Sequence, residues 1–529
     1  MKINFFNLFS AIIILFMGVI IGTILNDRGW GRHAFSFGKD NKLSSVVRLV
    51  HDRYVDSVDV DSLEGETVNQ FLQNLDPHSL YLPPQRAQSV NEKLNGGFNG
   101  VGVSYQLIDD TLYITQVVAG SPAARAGVIG GDRVINLNGK PFSGTHLTIQ
   151  TIHKAFVGPK DSGLQLGLLH HASAKVLTVN LKRGRVNLSS LDAAYIIAPQ
   201  TGYIKISKFA ATTDRDFKAA LKKLQAQGMT KLTLDLRNNG GGYLSAATAM
   251  ADEFLPAGKL ILYTKGVHEP RTDYFSTDTG SFEKGKLAIL IDEYSASASE
   301  VLAGAMQDLD RATIVGRRSF GKGLVQEQFA FKDGSAVNLT VARYYTPSGR
   351  SVQKSYHGGV ERYHNELASR MQKGELFSAK NNLDDSLFQQ PSKYHTLSGK
   401  KVYSGGGIMP DVFVPADTVS NTKLLYDLNN QDIFMAYVLQ KMQGKLAKYP
   451  TFNSFNKAYT VTDDELTRFI IYATKSLKQM DSGEIERSKA NIKRYLKAAA
   501  AHFKWGDVAY YTSINDEDVA VKKAVEVVQ

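Results

Sequence analysis

The chain has 529 residues, of which 43% are hydrophobic, 10% aromatic and 21% charged. This is the composition of ordinary globular proteins, and it excludes collagen, mucin-like stalks and polytopic membrane proteins. Length predicts about three or four domains. Because cysteine is absent, disulfide frameworks, thiolate metal sites and cysteine nucleophiles are excluded. The net charge of +11 is dispersed without a basic run, so we predict no nucleic-acid partner.

The N-terminus carries an apolar segment. Residues Phe5 to Leu25 contain no charge, and 21 residues at ~1.5 Å each span the hydrocarbon layer of a bilayer. We therefore predict a membrane helix within residues 1–26, which would anchor the protein. A cleaved signal peptide is the alternative, although its apolar stretch is usually shorter and ends at a small-residue cleavage site.

Two segments of different character follow. Residues 43–95 have apolar side chains at helical spacing, interrupted by a turn-rich stretch around Asp76 and Pro77, and they predict a helical module. Residues 96–185 carry short β-rich runs separated by glycine, proline, asparagine and aspartate, and they predict a small, mostly-β domain. We expect a helix at Ser121 to Gly127, where proline follows serine, and another at His146 to Phe156.

The glycine-rich entry to this β domain has the sequence FNGVGV, residues 98–103. Together with the run from Ser121 to Gly139, it resembles a PDZ domain. In such domains the loop offers backbone N–H groups to a peptide carboxylate, and the peptide adds a strand to the sheet edge. The resemblance implies substrate-binding roles for Gly100, Val101, Gly102 and Val103.

Strands and helices alternate over residues 186–415, which predicts an α/β core with a largely buried sheet. Residues 351–405 lack a clear period and are interpreted as an insertion. Residues 416–529 have helical apolar spacing and predict a helical C-terminal module. The expected fold is thus multidomain α/β: an α/β core with a mostly-β domain inserted, helical N- and C-terminal modules and one membrane helix.

Two sites in the α/β core contain residues able to carry chemistry. Ser295, Ser297 and Ser299 lie between a buried strand and a helix, where unpaired N–H groups favour a developing negative charge. Helix capping alone also explains serines at this place. Downstream, Lys322 lies in a glycine-rich stretch that nearly matches a P-loop, but Gly323 stands where a magnesium-binding hydroxyl is required, so we reject a nucleotide site. A solvated loop lysine is the alternative.

Taken together, these residues resemble the carboxyl-terminal processing peptidases, tail-specific serine proteases that contain a PDZ domain. Lys322 follows Ser297 by 25 residues, and Gln326 lies four residues further. The resemblance covers roughly residues 43–415. Its other matching stretches are residues 75–79, 236–239, 295–302, 320–326, 333–335, 340–350 and 407–412. Gly240 departs from the family, which commonly has proline there.

The resemblance implies an α/β serine protease core with Ser297 as nucleophile, Lys322 as general base and Gln326 as the residue that orients the lysine amine. It also implies an oxyanion site formed by the backbone N–H groups of Ala298 and Gly241. A lysine base near neutrality needs a pKa lowered by about 3 units, which burial supplies. We therefore expect Lys322 to be buried. A Ser-His-Asp arrangement using His78 or the pair His170 and His171 is the commoner alternative in hydrolases, but no motif joins these histidines to the serine.

The sequence thus predicts a serine endopeptidase that cleaves protein substrates near their C-terminal tails, with no metal and no cofactor. Its partners would be proteins with exposed tails, captured by the PDZ domain, and a homodimer or an adaptor stays open. The expected location is the cell envelope, anchored in the inner membrane with the catalytic domains in the periplasm. The alternative is a catalytically silent PDZ scaffold on the same fold.

Overall fold

The structure is a computed structural model that describes residues 42–145, 147–171, 173, 175–378, 388 and 390–529. The chain divides into two compact units at the junction of Phe71 and Leu72. The first unit contains the helix Lys42–Arg53 and the start of the helix Val60–Gln73. The predicted membrane segment within residues 1–26 lies outside the described residues. Among the helices that are described, none combines the length and apolar character that a membrane span requires.

A six-stranded sheet forms the centre of the second unit. Its order is Leu191–Ala198, Thr201–Ile206, Lys231–Asp235, Lys286–Ile291, Thr313–Gly316 and Val412–Phe413. Only the first pair is antiparallel. The sheet is buried on both faces, as expected for parallel strands.

Helices cover both faces of this sheet, and alternate residues of each strand contact different helices. Leu287, Ile289 and Ile291 face the helices Thr213–Gln225, Leu244–Asp252 and Ala298–Asp308. Ala288 and Leu290 face the last helix of the chain, Val519–Val528. The end of the predicted C-terminal module is therefore packed on the core sheet.

A second, antiparallel sheet lies beside the first. It joins Leu80–Leu82, Ala336–Tyr345, Leu260–Lys265 and Thr272–Phe275, with Leu324–Ala330 also paired to Ala336–Tyr345. Residues 80–82 were expected to belong to a helical module, but they form a strand of this sheet. The helix Pro84–Leu94 follows it. The backbone pairing with residues 336–338 explains the difference, because an isolated helical pattern cannot reveal a long-range partner.

The mostly-β domain, which resembles a PDZ domain, has a sheet and two helices. The sheet order is Val103–Ile108, Thr111–Val117, Arg133–Leu137, Gly163–Leu169 and Val176–Lys182, with Lys140–Pro141 paired to the third strand. The helices are Pro122–Arg125 and Ile149–Phe156. The second helix starts later than expected because the Thr148 side chain caps it. Two short strands, Gly97–Gly100 and Gly184–Asn187, pair with each other where the chain enters and leaves the domain.

The remaining segments add helices and one hairpin. Residues 351–405 contain the helices Val360–His364 and Glu366–Gln372 and the paired strands Gln390–His395 and Lys401–Ser404. The C-terminal region is helical, as predicted. Its elements before the last helix are Lys423–Asn430, Ile433–Tyr437, the π-helix Val438–Met442, Gln443–Leu446, Phe452–Ala458, Asp463–Ala473, Ser482–Trp505 and Asp507–Asn515.

Candidate active site

The serine-rich turn follows the central strand Lys286–Ile291. The Ser295 hydroxyl donates to the Leu236 carbonyl at 2.9 Å, and the Ser299 hydroxyl donates to the Asn239 carbonyl at 2.8 Å. These two serines therefore hold the turn against the neighbouring loop, residues 236–242. Ser297 differs from both, because its φ is 56° and its ψ is −115°. A non-glycine residue at positive φ is strained, and such strain is concentrated at functional sites.

Ser297 lines a cavity of about 340 Å³. The other residues of this wall that the sequence singled out are Ala298, Lys322 and Gln326. The structure thus brings together Ser297, Lys322 and Gln326. Lys322 lies in the loop after the strand Thr313–Gly316, and Gln326 lies in the strand Leu324–Ala330.

Lys322 is half-buried in the cavity wall. Burial lowers the pKa of its ammonium group below the ordinary value of 10.5, while the nearby carboxylates of Glu300 and Asp76 act in the opposite direction. Desolvation prevails because the ammonium form loses water that these carboxylates replace only in part. The environment of Lys322 thus makes its neutral amine, the form that accepts a proton, easier to reach than in a solvated lysine.

A buried carboxylate, that of Glu300, joins the serine turn to the lysine loop. Its Oε2 accepts the backbone N–H groups of Ser297 at 2.9 Å and Lys322 at 2.8 Å. Its Oε1 accepts the Ser319 hydroxyl and the Gly321 N–H, the latter at 2.7 Å. Glu300 is only 1% exposed. Burial raises the pKa of its carboxyl group, although the hydrogen bonds that it accepts act in the opposite direction. Sequence reasoning assigned no role to this residue, although the spacing of Ser297 and Glu300 matches a capping box.

The two predicted oxyanion donors differ. Among the described residues, nothing accepts the backbone N–H of Ala298, which lies in the first turn of its helix. Gly241 lies close by, since a Cβ there would be 2.8 Å from the Ser297 Cβ. Its N–H, however, donates to Asn239 Oδ1 at 2.9 Å. In this arrangement the expected Gly241 donor is therefore occupied, because the loop satisfies its own N–H group.

Gln326 is positioned by a chain of hydrogen bonds. Its Nε2 donates to Thr340 Oγ1 at 3.2 Å, and the Thr340 N–H donates to Ser79 Oγ at 3.1 Å. The Ser79 hydroxyl in turn donates to Asp76 at 2.6 Å. The turn-rich stretch near residue 76 thus supports the strand pair that carries Gln326.

The candidate histidines have other partners. His78 Nε2 lies 2.7 Å from the Tyr363 hydroxyl, and burial and the charge of Lys322 lower its pKa to about 3. His170 pairs with Asp132 inside the PDZ domain. Neither ring, nor that of His171, lines the cavity with Ser297. Over the described residues, no three His, Asp or Glu side chains are grouped so as to hold a metal ion.

A second cavity, of about 210 Å³, lies between the PDZ strand Val103–Ile108 and the helix Ile149–Phe156. Val101, Gly102 and Val103 line it as expected, whereas Gly100 does not and instead bridges to Val157. The Val101 N–H donates to the Phe156 carbonyl at 3.0 Å, so this donor is occupied.

Gly102 shapes the entry to this groove. Its φ is +82°, and a Cβ would lie 2.3 Å from the Ser121 Cβ. Glycine is therefore required here. The helix Pro84–Leu94, outside the PDZ domain, also contributes to the groove wall through Ser89, Glu92 and Lys93.

Family models match three parts of the chain. Residues 200–362 match the family model described as peptidase family S41, and residues 113–155 match the PDZ domain. Residues 424–506 match a family of unknown function. Among solved structures, a photosystem II D1 C-terminal processing protease is 25% identical, with 73% of this chain and 88% of that chain covered and a TM-score of 0.36.

Two curated bacterial proteases are similar to this chain in sequence. A probable CtpA-like serine protease of Staphylococcus aureus (strain N315) is 32% identical over 354 residues, which are 64% of this chain and 70% of that protein. A carboxy-terminal-processing protease of Bartonella bacilliformis is 33% identical over 320 residues, 59% of this chain and 72% of that protein. The chain therefore belongs to peptidase family S41, with the carboxy-terminal-processing serine proteases, and combines their α/β fold with a PDZ domain and a helical C-terminal region.

Proposed function

We propose that this peptidase cleaves protein substrates near their C-terminal tails by a dyad of Ser297 and Lys322. The observation that carries the proposal is that Ser297 and Lys322 share one cavity wall and one hydrogen-bond acceptor. Both line one cavity, and the Glu300 carboxylate accepts the backbone N–H of each. Burial lowers the pKa of Lys322, and this supports the lysine as the group that accepts the serine proton.

The reaction follows from these positions. Ser297 Oγ attacks the carbonyl carbon of the scissile peptide while its proton passes to the neutral Lys322 Nζ. The lysine then gives this proton to the leaving amine as the carbon–nitrogen bond breaks, which leaves an ester on Ser297. Water hydrolyses the ester with Lys322 again accepting a proton, and the serine is restored. Gln326 orients the amine by a neutral hydrogen bond.

The developing oxyanion is assigned to the N–H of Ala298, whose place at the start of a helix also favours negative charge. A second donor, the N–H of Gly241, becomes available if it leaves Asn239 Oδ1. A change in the loop of residues 236–242 would therefore accompany activation. One oxyanion donor is typically worth ~2.7–4 kcal/mol, so this change would strongly affect the rate.

The PDZ groove is proposed to capture the substrate C-terminus beside Gly102 and Val103. A peptide held there and reaching Ser297 occupies two sites of one molecule, so unfolded tails are favoured substrates. We further propose that PDZ position gates the dyad between resting and active arrangements. Replacing residues 101–183 by a two-residue Asn-Gly turn tests this, because Gly100 and Gly184 are antiparallel register partners that such a turn can connect. Unchanged rate and unchanged substrate choice in that variant would contradict capture and gating.

Cleavage of an unfolded protein with an apolar C-terminus tests the dyad. The full chain, Ser297→Ala and Lys322→Ala are compared, with Lys332→Ala as a control because Lys332 is exposed. We expect the first two variants to lose about 10⁴-fold or more in kcat, by analogy with the removal of a serine or its base in serine proteases. The control should keep full activity. Activity that survives in either dyad variant would contradict the assignment.

Residues 5–25 are proposed to anchor the protein in the inner membrane, with the peptidase in the periplasm. The basis is their uncharged sequence alone. Fractionation of cells that express the full chain or residues 28–529 tests the proposal. The full chain should stay with membranes after a carbonate wash while the shortened chain is released. Release of both would contradict an anchor and favour a cleaved signal.

A further inference from the structure

The C-terminal helical region makes an apolar contact with the PDZ domain. Ile108, Ala436 and Leu439 form a buried cluster of their own, with Leu439 only 1% exposed. The side chains of Tyr113, Met435, Tyr472 and Phe503 are packed around it. Ile108 and Tyr113 come from the first two PDZ strands, and the other five residues come from residues 433–505. The cluster therefore joins two regions far apart in sequence.

Glutamine side chains surround this apolar contact. Gln106 Nε2 donates to the Asp432 carbonyl at 3.0 Å, and Gln116 Nε2 donates to the His502 carbonyl at 2.6 Å. From the opposite side, Gln440 Nε2 donates to the Asp109 carboxylate at 3.2 Å. These bonds satisfy polar groups at the edge of the cluster, which is typical of a specific interface.

A glycine turn permits a further close approach. A Cβ at Gly131 would lie 2.4 Å from Gln443 Oε1. The PDZ surface at this turn is thus shaped to accept the side chain that follows the π-helix Val438–Met442.

The other end of the helical region is fastened to the protease core. The Tyr511 hydroxyl donates to Asp192 at 3.0 Å, and Arg237 pairs with Asp518 at 2.9 Å. The helix Val519–Val528 then packs on the central sheet. One continuous stretch of helices therefore contacts the PDZ domain at one end and the catalytic sheet at the other.

We propose that residues 424–506, which match a family of unknown function, serve to dock the PDZ domain and hold it in the position relative to the catalytic core that this structure has. The docking surface consists of Ala436, Leu439, Gln440, Tyr472 and Phe503, and its partner is the PDZ strand pair Val103–Ile108 and Thr111–Val117. Apart from this surface, the PDZ domain meets the rest of the chain at the paired strands Gly97–Gly100 and Gly184–Asn187 and at the helix Pro84–Leu94, which lines the groove.

The docked strand Val103–Ile108 is also the strand beside the peptide groove. Its first residues line the groove, while Gln106 and Ile108 contact the helical region. Peptide binding and docking thus act on opposite ends of one strand. The docking goes beyond the proposed function and does not rest on PDZ capture.

Distance measurement between spin labels tests the docking. The chain has no cysteine, so Lys140→Cys in the PDZ domain and Lys259→Cys in the core place two labels without background. Both positions are exposed. Leu439→Asp puts a charge into the apolar contact from the helical side, and Ile108→Asp does so from the PDZ side. Ile471→Asp is the control, since Ile471 is 64% exposed on the same helical region.

We expect one narrow distance distribution in the labelled parent and in Ile471→Asp. In Leu439→Asp and Ile108→Asp the distribution should broaden about twofold or more, because a charge cannot be buried there unpaired. Unchanged widths in both variants would overturn the proposal. Far-UV circular dichroism checks folding; if Leu439→Asp loses helix, Ile108→Asp still tests the contact because it leaves the helices intact.

Cleavage by the PDZ excision variant, taken together with the distances in the docking variants, separates this inference from the proposed function. If PDZ excision leaves cleavage unchanged while Leu439→Asp still broadens the distances, docking stands and gating is wrong. If excision impairs cleavage but both docking variants keep narrow distances, the proposed role of the PDZ domain in cleavage stands and docking is wrong.

Discussion

The junction between Ser297 and Lys322 and the contact between the PDZ domain and the C-terminal helices join distant parts of the chain by opposite means. At the first, the buried Glu300 carboxylate accepts four hydrogen bonds from two loops. At the second, apolar side chains around Leu439 pack together, and neutral glutamines bond at the edge. Directional bonds fix atoms for chemistry, whereas apolar burial fixes the position of a whole domain.

The difference has energetic consequences. A buried carboxylate needs hydrogen-bond donors, and each buried donor left unpaired lowers the stability of the fold by about 1–3 kcal/mol. An apolar contact loses stability in proportion to the area removed, so its response to substitution is graded. Substitutions at the first region should therefore act sharply on the rate, and those at the second should act gradually on domain position.

Among substitutions outside the Ser297–Lys322 dyad, the largest effect is expected from Glu300→Gln. The amide keeps the shape of the carboxylate, but its NH2 group faces N–H or O–H donors where an oxygen accepted them before. We expect kcat to fall by about 100-fold and the free energy of unfolding by about 2–4 kcal/mol. Glu327→Gln is the matched control, because Glu327 is exposed on the neighbouring strand. Thermal unfolding and cleavage rates measure both, and equal behaviour of the two variants would contradict the role of Glu300.

The pH dependence of cleavage should report the titration of Lys322. Because burial lowers its pKa below 10.5, the folded protein holds fewer protons at this site than the unfolded chain. The activity kcat/KM should then rise by up to tenfold per pH unit. It should level off above the pKa of Lys322, which lies below 10.5. For this group alone, stability also rises with pH up to the unfolded value. A profile that shows no rise at any pH below 10.5 would contradict Lys322 as the base.

A smaller effect is expected in the PDZ groove from Gly102→Ala. The new Cβ would clash with Ser121, and the residue has positive φ. Gly120→Ala is a matched control, since Gly120 also has positive φ but nothing lies within 4 Å of its Cβ. We expect about a tenfold weaker Kd for a tail peptide in Gly102→Ala, equivalent to ~1.4 kcal/mol, and no change in the control. Fluorescence anisotropy with the Ser297→Ala background measures binding without cleavage; equal affinities would contradict peptide capture at this loop.

The smallest effect should come from Gln116→Ala, which removes one neutral hydrogen bond to the His502 carbonyl. We expect the free energy of unfolding to fall by about 1 kcal/mol, with the rate of cleavage little changed. Chemical denaturation measures the loss. A loss as large as that in Glu300→Gln would show that directional bonds, and not apolar burial, dominate the PDZ contact.

Local patterns predicted much of the fold. The β-rich runs and glycine turns of residues 96–185 predicted a small, mostly-β domain, and five principal strands form its sheet, because such signals are local. The strand Leu80–Leu82 and the position of the helix Val519–Val528 could not be foreseen. Both depend on partners hundreds of residues away, which periodicity does not encode.

The candidate site shows the same limit. The spacing and motifs around Ser297 and Lys322 indicated the pair, and the structure places both in one cavity wall. The bridging role of Glu300 and the occupied N–H of Gly241 were beyond sequence reasoning. Each depends on how two loops meet, and a single residue identity leaves the direction of a backbone N–H undetermined.

Covalent labelling tests the Ser297–Lys322 dyad most directly. The full chain is treated with a fluorophosphonate, which reacts with an activated serine hydroxyl, and the labelled peptide is identified by mass spectrometry. The account predicts a single label on Ser297 that is lost in Ser297→Ala and strongly slowed in Lys322→Ala, with Lys332→Ala unaffected. A label on another residue, or equal labelling of Ser297 in Lys322→Ala, would contradict it.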